Sequence, residues 1–277
     1  RNSPQSGIDI YAQHIDLNGS ISYEENGQII CDEINLQFNP LVRNDGSGGA
    51  FIVWGDQRSG GSFGMFVQRL VSSGINFIAD GKESFFGIAT DAANEPYSHN
   101  AVYLNNNASL LYWQDNRWGD PRIYGMPISA AYDGNSTDYF NNNLLNGQAL
   151  SFLDYPQKEP YAILAGNQIA LGFLVEQAPN ENYYLQLLNM DLSINGDAIA
   201  MANSSTSKQG FKMVYGHDNY IYYAISEDYN ISITKFNIDG TVQWNTLAVN
   251  NSTDDIIKSI YAYPNNGWIE SSFKFFK

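Results

Sequence analysis

Ala50-Phe-Ile-Val-Trp54-Gly-Asp56-Gln-Arg58, leading into Met65-Phe-Val-Gln68, is answered by Leu110-Leu-Tyr-Trp113-Gln-Asp115-Asn-Arg117, leading into Arg122-Ile-Tyr-Gly125. Trp54 and Trp113 stand 59 residues apart, and a third trace, Asp9-Ile-Tyr-Ala-Gln13, reads as the second half of the phrase with its first half missing. Similarity at a fixed spacing in the tens of residues marks solenoids, propellers and arrays, because such a unit buries its apolar face only against a neighbour. A repeat that opens in mid-phrase points to a ring.

Each unit reads as four short strands. An inner strand begins near a proline (Pro40, Pro96, Pro160), and a Gly/Asn-rich turn leads to an apolar strand ending in Trp-x-Asp. A strand with an aromatic-x-Gln step follows, then a turn such as Asp16-Leu-Asn-Gly19 and a fourth strand. Alternation between closely spaced turn clusters favours all-β structure. Three weaker copies fit this template. Ile169 to Glu176 precedes Tyr184-Leu-Gln186, with Leu174 in the tryptophan position. Tyr220 to Glu227 precedes Ile231-Ser-Ile-Thr-Lys235 and the turn and outer strand Asp239-Gly240-Thr-Val-Gln-Trp244. Gly267-Trp268-Ile-Glu270 is the last, with Ser226 to Asn230 and Asn250 to Lys258 as polar connections. The expected fold is a five-bladed β-propeller of four-stranded antiparallel blades, one domain over residues 1–277. N-terminal strands within about 1–30 would complete the blade begun by 256–277, leaving no open sheet edge.

Composition agrees. A hydrophobic share of 43% and an aromatic share of 14% suit stacked sheets. The net charge of -15 excludes nucleic acid, whose binding needs Lys and Arg on phosphates, and disfavours anionic lipid surfaces. No apolar run approaches the roughly 20 residues that span a bilayer, so direct membrane insertion is not expected. No signal peptide is visible, and opening inside a repeat fits a processed or trimmed chain. Cys31, beside Ile29-Ile30, is the single cysteine, and a buried apolar role is expected of it because its segment lacks the electropositive surroundings of a reactive thiol.

The stretch Gly48-Gly-Ala-Phe-Ile-Val-Trp54-Gly-Asp56-Gln-Arg58, with Phe66-Val-Gln68-Arg69 and Asp16-Leu-Asn-Gly19, is similar to the Trp-x-Asp-x-Arg propeller repeats of large secreted or cell-surface bacterial proteins. These often lie beside sorting or adhesion modules. The resemblance covers residues 1 to about 130 and fades to spacing and turn chemistry beyond. It implies a propeller fold and an extracellular or cell-surface setting, but no reaction, since propellers host many unrelated functions.

The repeat alignment places Asp56, Asp115, Glu176, Glu227 and Glu270 at the ends of the Trp-type strands, one carboxylate per blade on one face of the ring. Such a rim can hold cations or a polyhydroxylated ligand; alternatively each carboxylate serves its own turn, with Arg58 and Arg117 pairing to Asp56 and Asp115. Glu176, Glu227 and Glu270 lack the arginine and are freer to serve a ligand. Trp118, in the polar turn Asn116-Arg117-Trp118-Gly119-Asp120, is the candidate platform for a sugar ring. Trp54, Trp113 and Trp268 read as packing between blades and Trp244 as outer-strand packing. His14, His99 and His217 have no zinc spacing, and the turns at Asp16 and Asp239 lack the alternating carboxylates and distal Glu of a calcium loop. No cofactor is expected, with calcium as the one alternative these turns leave open, and they read as β-turns in which Asn and Gly accept positive φ.

Two function classes remain. The favoured expectation is a non-catalytic binding or scaffold module that recognises a glycan or a protein of a surface assembly through one rim, with Asp56, Asp115, Glu176, Glu227, Glu270 and Trp118 as its residues. The alternative is a propeller glycoside hydrolase, which needs an acid and a nucleophile or base roughly 5 to 9.5 Å apart. Against it, no inner strand is expected to carry a carboxylate in its interior, and only Glu95 and Glu159 stand just before the prolines.

Overall fold

The computed structural model describes residues 2–3, 7–58, 64–71, 74–76, 86–87, 97–104, 108–117, 119–129, 147–177, 179–201, 208–227, 230–249, 256–262 and 269–274. Among these residues there is no helix. The chain forms two compact units, Arg1–Ala149 and Leu150–Lys277.

In the first unit β1 (Asn2–Ser3) pairs with β2 (Gly7–Ile8), and β3 (Ile10–Ala12) with β4 (Gln28–Cys31). The first meander is β5 (Gln37–Asn44), β6 (Ala50–Asp56), β7 (Gly64–Val71) and β8 (Gly74–Asn76), with β9 (Phe86–Gly87) also along β7. The second is β10 (Tyr97–Leu104), β11 (Ala108–Asp115), β12 (Arg122–Ser129) and β13 (Gln148–Ala149). In the second unit β14 (Gln157–Ala165), β15 (Gln168–Gln177), β16 (Asn180–Asn189) and β17 (Ile194–Ala200) form one meander. Another is β18 (Lys208–Tyr215), β19 (Ile221–Glu227), β20 (Asn230–Phe236) and β21 (Val242–Val249), and β22 (Ile256–Ala262) pairs with β23 (Ile269–Lys274). The class is the one the repeat predicts: all-β, built of four-stranded antiparallel blades. Of the strands expected to make the closing blade, β3 and β4 belong to the first unit and β22 and β23 to the second.

The second strands of the four meanders carry buried runs, 51–54, 110–113, 169–175 and 221–225, because they are covered on both faces. All eight residues of β11 are buried. Alternation sends Phe51 and Val53 of β6 towards Leu111 and Trp113 of the next blade, and Ile52 and Trp54 the other way, onto Ile10, Ile30 and Cys31. In the second unit Tyr183 and Leu185 meet Phe211, Met213, Tyr223 and Ile225 likewise. Asp16 Oδ1 accepts the backbone N–H groups of Asn18 and Ser20, both at 2.8 Å, while Gly19 takes φ 83. Gln186 of the aromatic-x-Gln step donates Nε2 to the Gly196 carbonyl at 3.0 Å, tying its strand to the fourth.

The repeated phrase itself is a polar bracket at the strand end. The Trp54 indole donates to Asp56 Oδ2 at 3.0 Å, Arg58 Nη2 donates to the same oxygen at 2.6 Å, and the Arg58 backbone N–H reaches Oδ1 at 2.8 Å. The guanidinium then lies over the Phe66 ring, 4.1 Å from its centroid. Trp113, Asp115 and Arg117 repeat this, with Trp113 Nε1 2.8 Å from Asp115 Oδ2 and Arg117 over Tyr124 at 3.9 Å. One carboxylate thus locks an indole of the core and a guanidinium that caps the aromatic of the neighbouring strand.

Four expectations change. Trp54 is paired with and stacked on Phe66 (6.2 Å, 23°), and in the third copy Phe173 is paired with and stacked on Tyr184 (6.5 Å, 20°). Phe173, not Leu174, therefore holds the tryptophan position. The expected inner-strand starts Pro40 and Pro160 lie inside β5 and β14. Ser226, Glu227 and Asn230 are strand residues rather than connection. Cys31 is buried as expected, but folding supplies the cation its own segment lacks: Arg58 Nη2 lies 3.3 Å from Sγ. Burial outweighs that contact and pushes the thiol up to about 12, so it stays protonated.

Replacing Asp56 by Ala strands a buried indole and a largely buried guanidinium, and is expected to lower the unfolding free energy by about 3 kcal/mol in urea titration. Burial pushes the Asp56 carboxyl up, but Arg58 and the Trp54 indole overcome it and hold the group below its ordinary 3.8. Its stabilisation is therefore complete above pH 3.8 and lost as pH falls through the lower folded value. The gap between wild type and Asp56→Asn should narrow only in that acid range.

Candidate active site

The first strand of each meander breaks its pairing at one place. Register shifts fall between Phe38 and Leu41 in β5, Tyr97 and Asn100 in β10, Lys158 and Tyr161 in β14, and Lys208 and Gly210 in β18. The first three bulges each hold a non-glycine residue in the left-handed region: Asn39 at φ 50, Ser98 at φ 51 and Glu159 at φ 52. Proline after Asn39 and Glu159 removes a donor that a continuous ladder would need. Asn accepts a left-handed backbone readily, whereas for Glu it costs roughly 1 to 3 kcal/mol. Strain of this kind is concentrated at functional positions.

Glu159 is exposed inside β14. The Tyr183 hydroxyl, on β16, donates to its Oε2 at 3.5 Å. Tyr183 is fully buried, its ring centroid 4.6 Å from that of Phe211, so the phenol is aimed by packing. Burial first, then the Glu159 carboxylate and the nearby charge of Glu181, push that phenol far above its ordinary range. It remains a proton-bearing donor. Glu181 stands two residues before Tyr183 on the same face of β16, and Glu159 accepts from the Tyr183 hydroxyl, so two carboxylates bear on one fixed phenol. Lys158 Nζ pairs with Glu176 Oε1 at 2.5 Å next to them, and Glu176 stands opposite Glu181 across the sheet.

The residues singled out from sequence are placed as follows. Asp56 and Asp115 have fully buried side chains and serve their own blades through the Trp and Arg brackets. With Phe173 in the tryptophan position, Val175 occupies the aspartate position and Glu176 falls one residue later, on the opposite face of the strand. Glu227 keeps the phase, two residues after Ile225, and faces Lys208 in the pairing of β19 with β18. Glu270 lies on β23 opposite Tyr261. Trp118, Trp268 and Glu95 lie outside the described residues. Trp54 and Trp113 are core residues as expected, while Trp244 is 41% exposed on β21, next to Tyr222, rather than packed away. Among the described residues no group of three or more His, Cys, Asp or Glu is arranged to hold a metal ion. Sequence reasoning missed Tyr183 and Glu181. Their only signal was position, just ahead of Tyr184-Leu-Gln186 and across the turn from Glu176.

No family model and no curated protein matches the chain. Solved structures do. Zg3597, a family 117 glycoside hydrolase from Zobellia galactanivorans, is 8% identical, with 79% of this chain and 70% of that chain covered and a TM-score of 0.43. An endo-arabinase from Bacteroides thetaiotaomicron is 12% identical, with 88% and 95% covered and a TM-score of 0.46. Both are described as enzymes, the class of the alternative rather than of the expected non-catalytic module, and the likeness is one of fold. The structure removes the objection to that alternative as well: β14 begins at Gln157, so Glu159 is a carboxylate within a first strand and not ahead of one.

Glu159→Gly should relieve the left-handed backbone and raise the unfolding free energy by about 1 kcal/mol while deleting the carboxylate. A higher denaturation midpoint in this variant, absent from Glu159→Gln, is the expected result.

Proposed function

We propose that this protein is a glycoside hydrolase acting on a polysaccharide outside the cell or at its surface. The single observation that carries the reading is Glu159, an exposed carboxylate held at φ 52 in the bulge of β14 with the Tyr183 hydroxyl against it. The likeness to an endo-arabinase and a family 117 glycoside hydrolase is one of fold and adds no residue role.

Glycoside hydrolysis needs one carboxyl group to protonate the leaving oxygen and a second to attack the sugar or activate water. Glu159, exposed in the bulge and oriented by the Tyr183 hydroxyl, takes the part of the nucleophile or base. Glu181, beside the same phenol, takes the part of the acid. The glycan is bound as substrate, and Tyr183 acts as a positioning residue for Glu159.

Release of reducing ends from a panel of plant, algal and bacterial polysaccharides tests the assignment. Glu159→Gln and Glu181→Gln should each lower kcat by about 10³-fold, the scale of lost acid–base or nucleophilic assistance. Tyr183→Phe should lower kcat by about tenfold with KM unchanged, since Glu159 loses the donor that orients it. Turnover that survives Glu159→Gln unchanged overturns the proposal.

A further inference from the structure

Two tyrosines of the second unit depart from the repeat where their strands pack together. With Ile225 at the tryptophan site of the fourth copy, the position two residues before that site reads Ile52, Leu111, Leu171 and Tyr223. The position just before the aromatic of the third strand reads Met65, Ile123, Tyr183 and Ile231. All eight are buried, and in six of them the core is filled without a hydroxyl. The two exceptions meet. Their ring centroids lie 6.5 Å apart at 75°, and Phe211 packs on both, 4.6 Å from Tyr183 and 5.7 Å from Tyr223. The Tyr183 hydroxyl donates to Glu159. That of Tyr223 is the one buried hydroxyl among the described residues with no hydrogen-bond partner. An unpaired buried hydroxyl is destabilising, and phenylalanine would fill the same space without that cost. Burial first, then the neighbouring Tyr183 and the charge of Glu227, push the Tyr223 phenol well above its ordinary range, so it keeps its proton and remains a donor.

We infer that Tyr223 is a further positioning residue of the site: its hydroxyl holds an internal water against the Tyr183 oxygen, and the two phenols aim Glu159 as one hydrogen-bonded line. The water accepts from Tyr223 and donates to the Tyr183 oxygen, which keeps its own hydrogen for Glu159. Internal waters take up buried polar groups that the chain itself does not satisfy. Hydrogen bonds in series polarise one another, so a donor to the Tyr183 oxygen strengthens the bond that Tyr183 gives to the carboxylate. The effect on turnover rests on the glycoside hydrolase reading, whereas the coupling of the two phenols does not.

A double-mutant cycle of wild type, Tyr223→Phe, Tyr183→Phe and the double variant tests this in urea unfolding and in polysaccharide cleavage. Tyr223→Phe should lower the denaturation midpoint while Tyr183 keeps its hydroxyl, and should no longer lower it in the Tyr183→Phe background. In cleavage the same variant should lower kcat by about threefold with KM unchanged, less than the loss of the Tyr183 donor itself, and again only where Tyr183 keeps its hydroxyl. A hydroxyl that meets nothing predicts the opposite, a midpoint raised in Tyr223→Phe whatever stands at 183. That outcome, or equal effects in both backgrounds, overturns the inference. Wild-type cleavage lost in Glu159→Gln with kcat indifferent to Tyr223→Phe overturns it too and leaves the hydrolase reading standing. Coupled midpoints with no cleavage of any polymer leave the line of phenols standing and sink the hydrolase reading.

Discussion

The register between the second and third strands of each meander is the constraint on which the rest depends. Side chains alternate across a sheet, so a shift of one residue exchanges everything that faces one neighbour for everything that faces the other. An aromatic pair pins this register, Trp54 with Phe66 and Phe173 with Tyr184, at nearly the same separation and tilt. In the first unit the buried aspartate two residues on reinforces it by binding the indole and the guanidinium together. In the second unit Val175 stands in that place and aromatic packing around Phe211, Tyr183 and Tyr223 replaces the bracket.

The first strand obeys a looser rule. Its bulge recurs, and the residue that fills it differs: Asn39, Ser98, then Glu159. Asparagine fits the left-handed backbone with little strain and serine with somewhat more, whereas glutamate is the poor structural choice of the three. A residue kept where it destabilises the fold belongs to the trade between stability and activity rather than to packing. The deviation, and not the repeated phrase, is where the proposed chemistry sits.

Much of the architecture was legible because it is written in local chemistry. Asp16-Leu-Asn-Gly19 makes the turn its side-chain acceptor and its glycine prescribe. The phrase around Trp54 and Trp113 reported a doubly covered strand because an uninterrupted apolar run is the signature of one. In the third copy Phe173 and Leu174 are both apolar, and no local property says which of the two stands opposite Tyr184. Pro160 reads locally as the opening of a strand with Glu159 ahead of it, and only the bulge shows how Pro160 can lie within one.

The sequence by itself determined the class of fold, the order of strands in each blade and the turns between them. These follow from period-two patterning and from residues acting on backbone within four positions of themselves. Tertiary structure decided that Asp56 and Asp115 are committed to their blades, that Arg58 reaches Cys31 across 27 residues, and that Tyr183 meets Glu159 across 24. Those meetings depend on which residue stands opposite which once strands pair and sheets stack, and the chain carries no local mark of them.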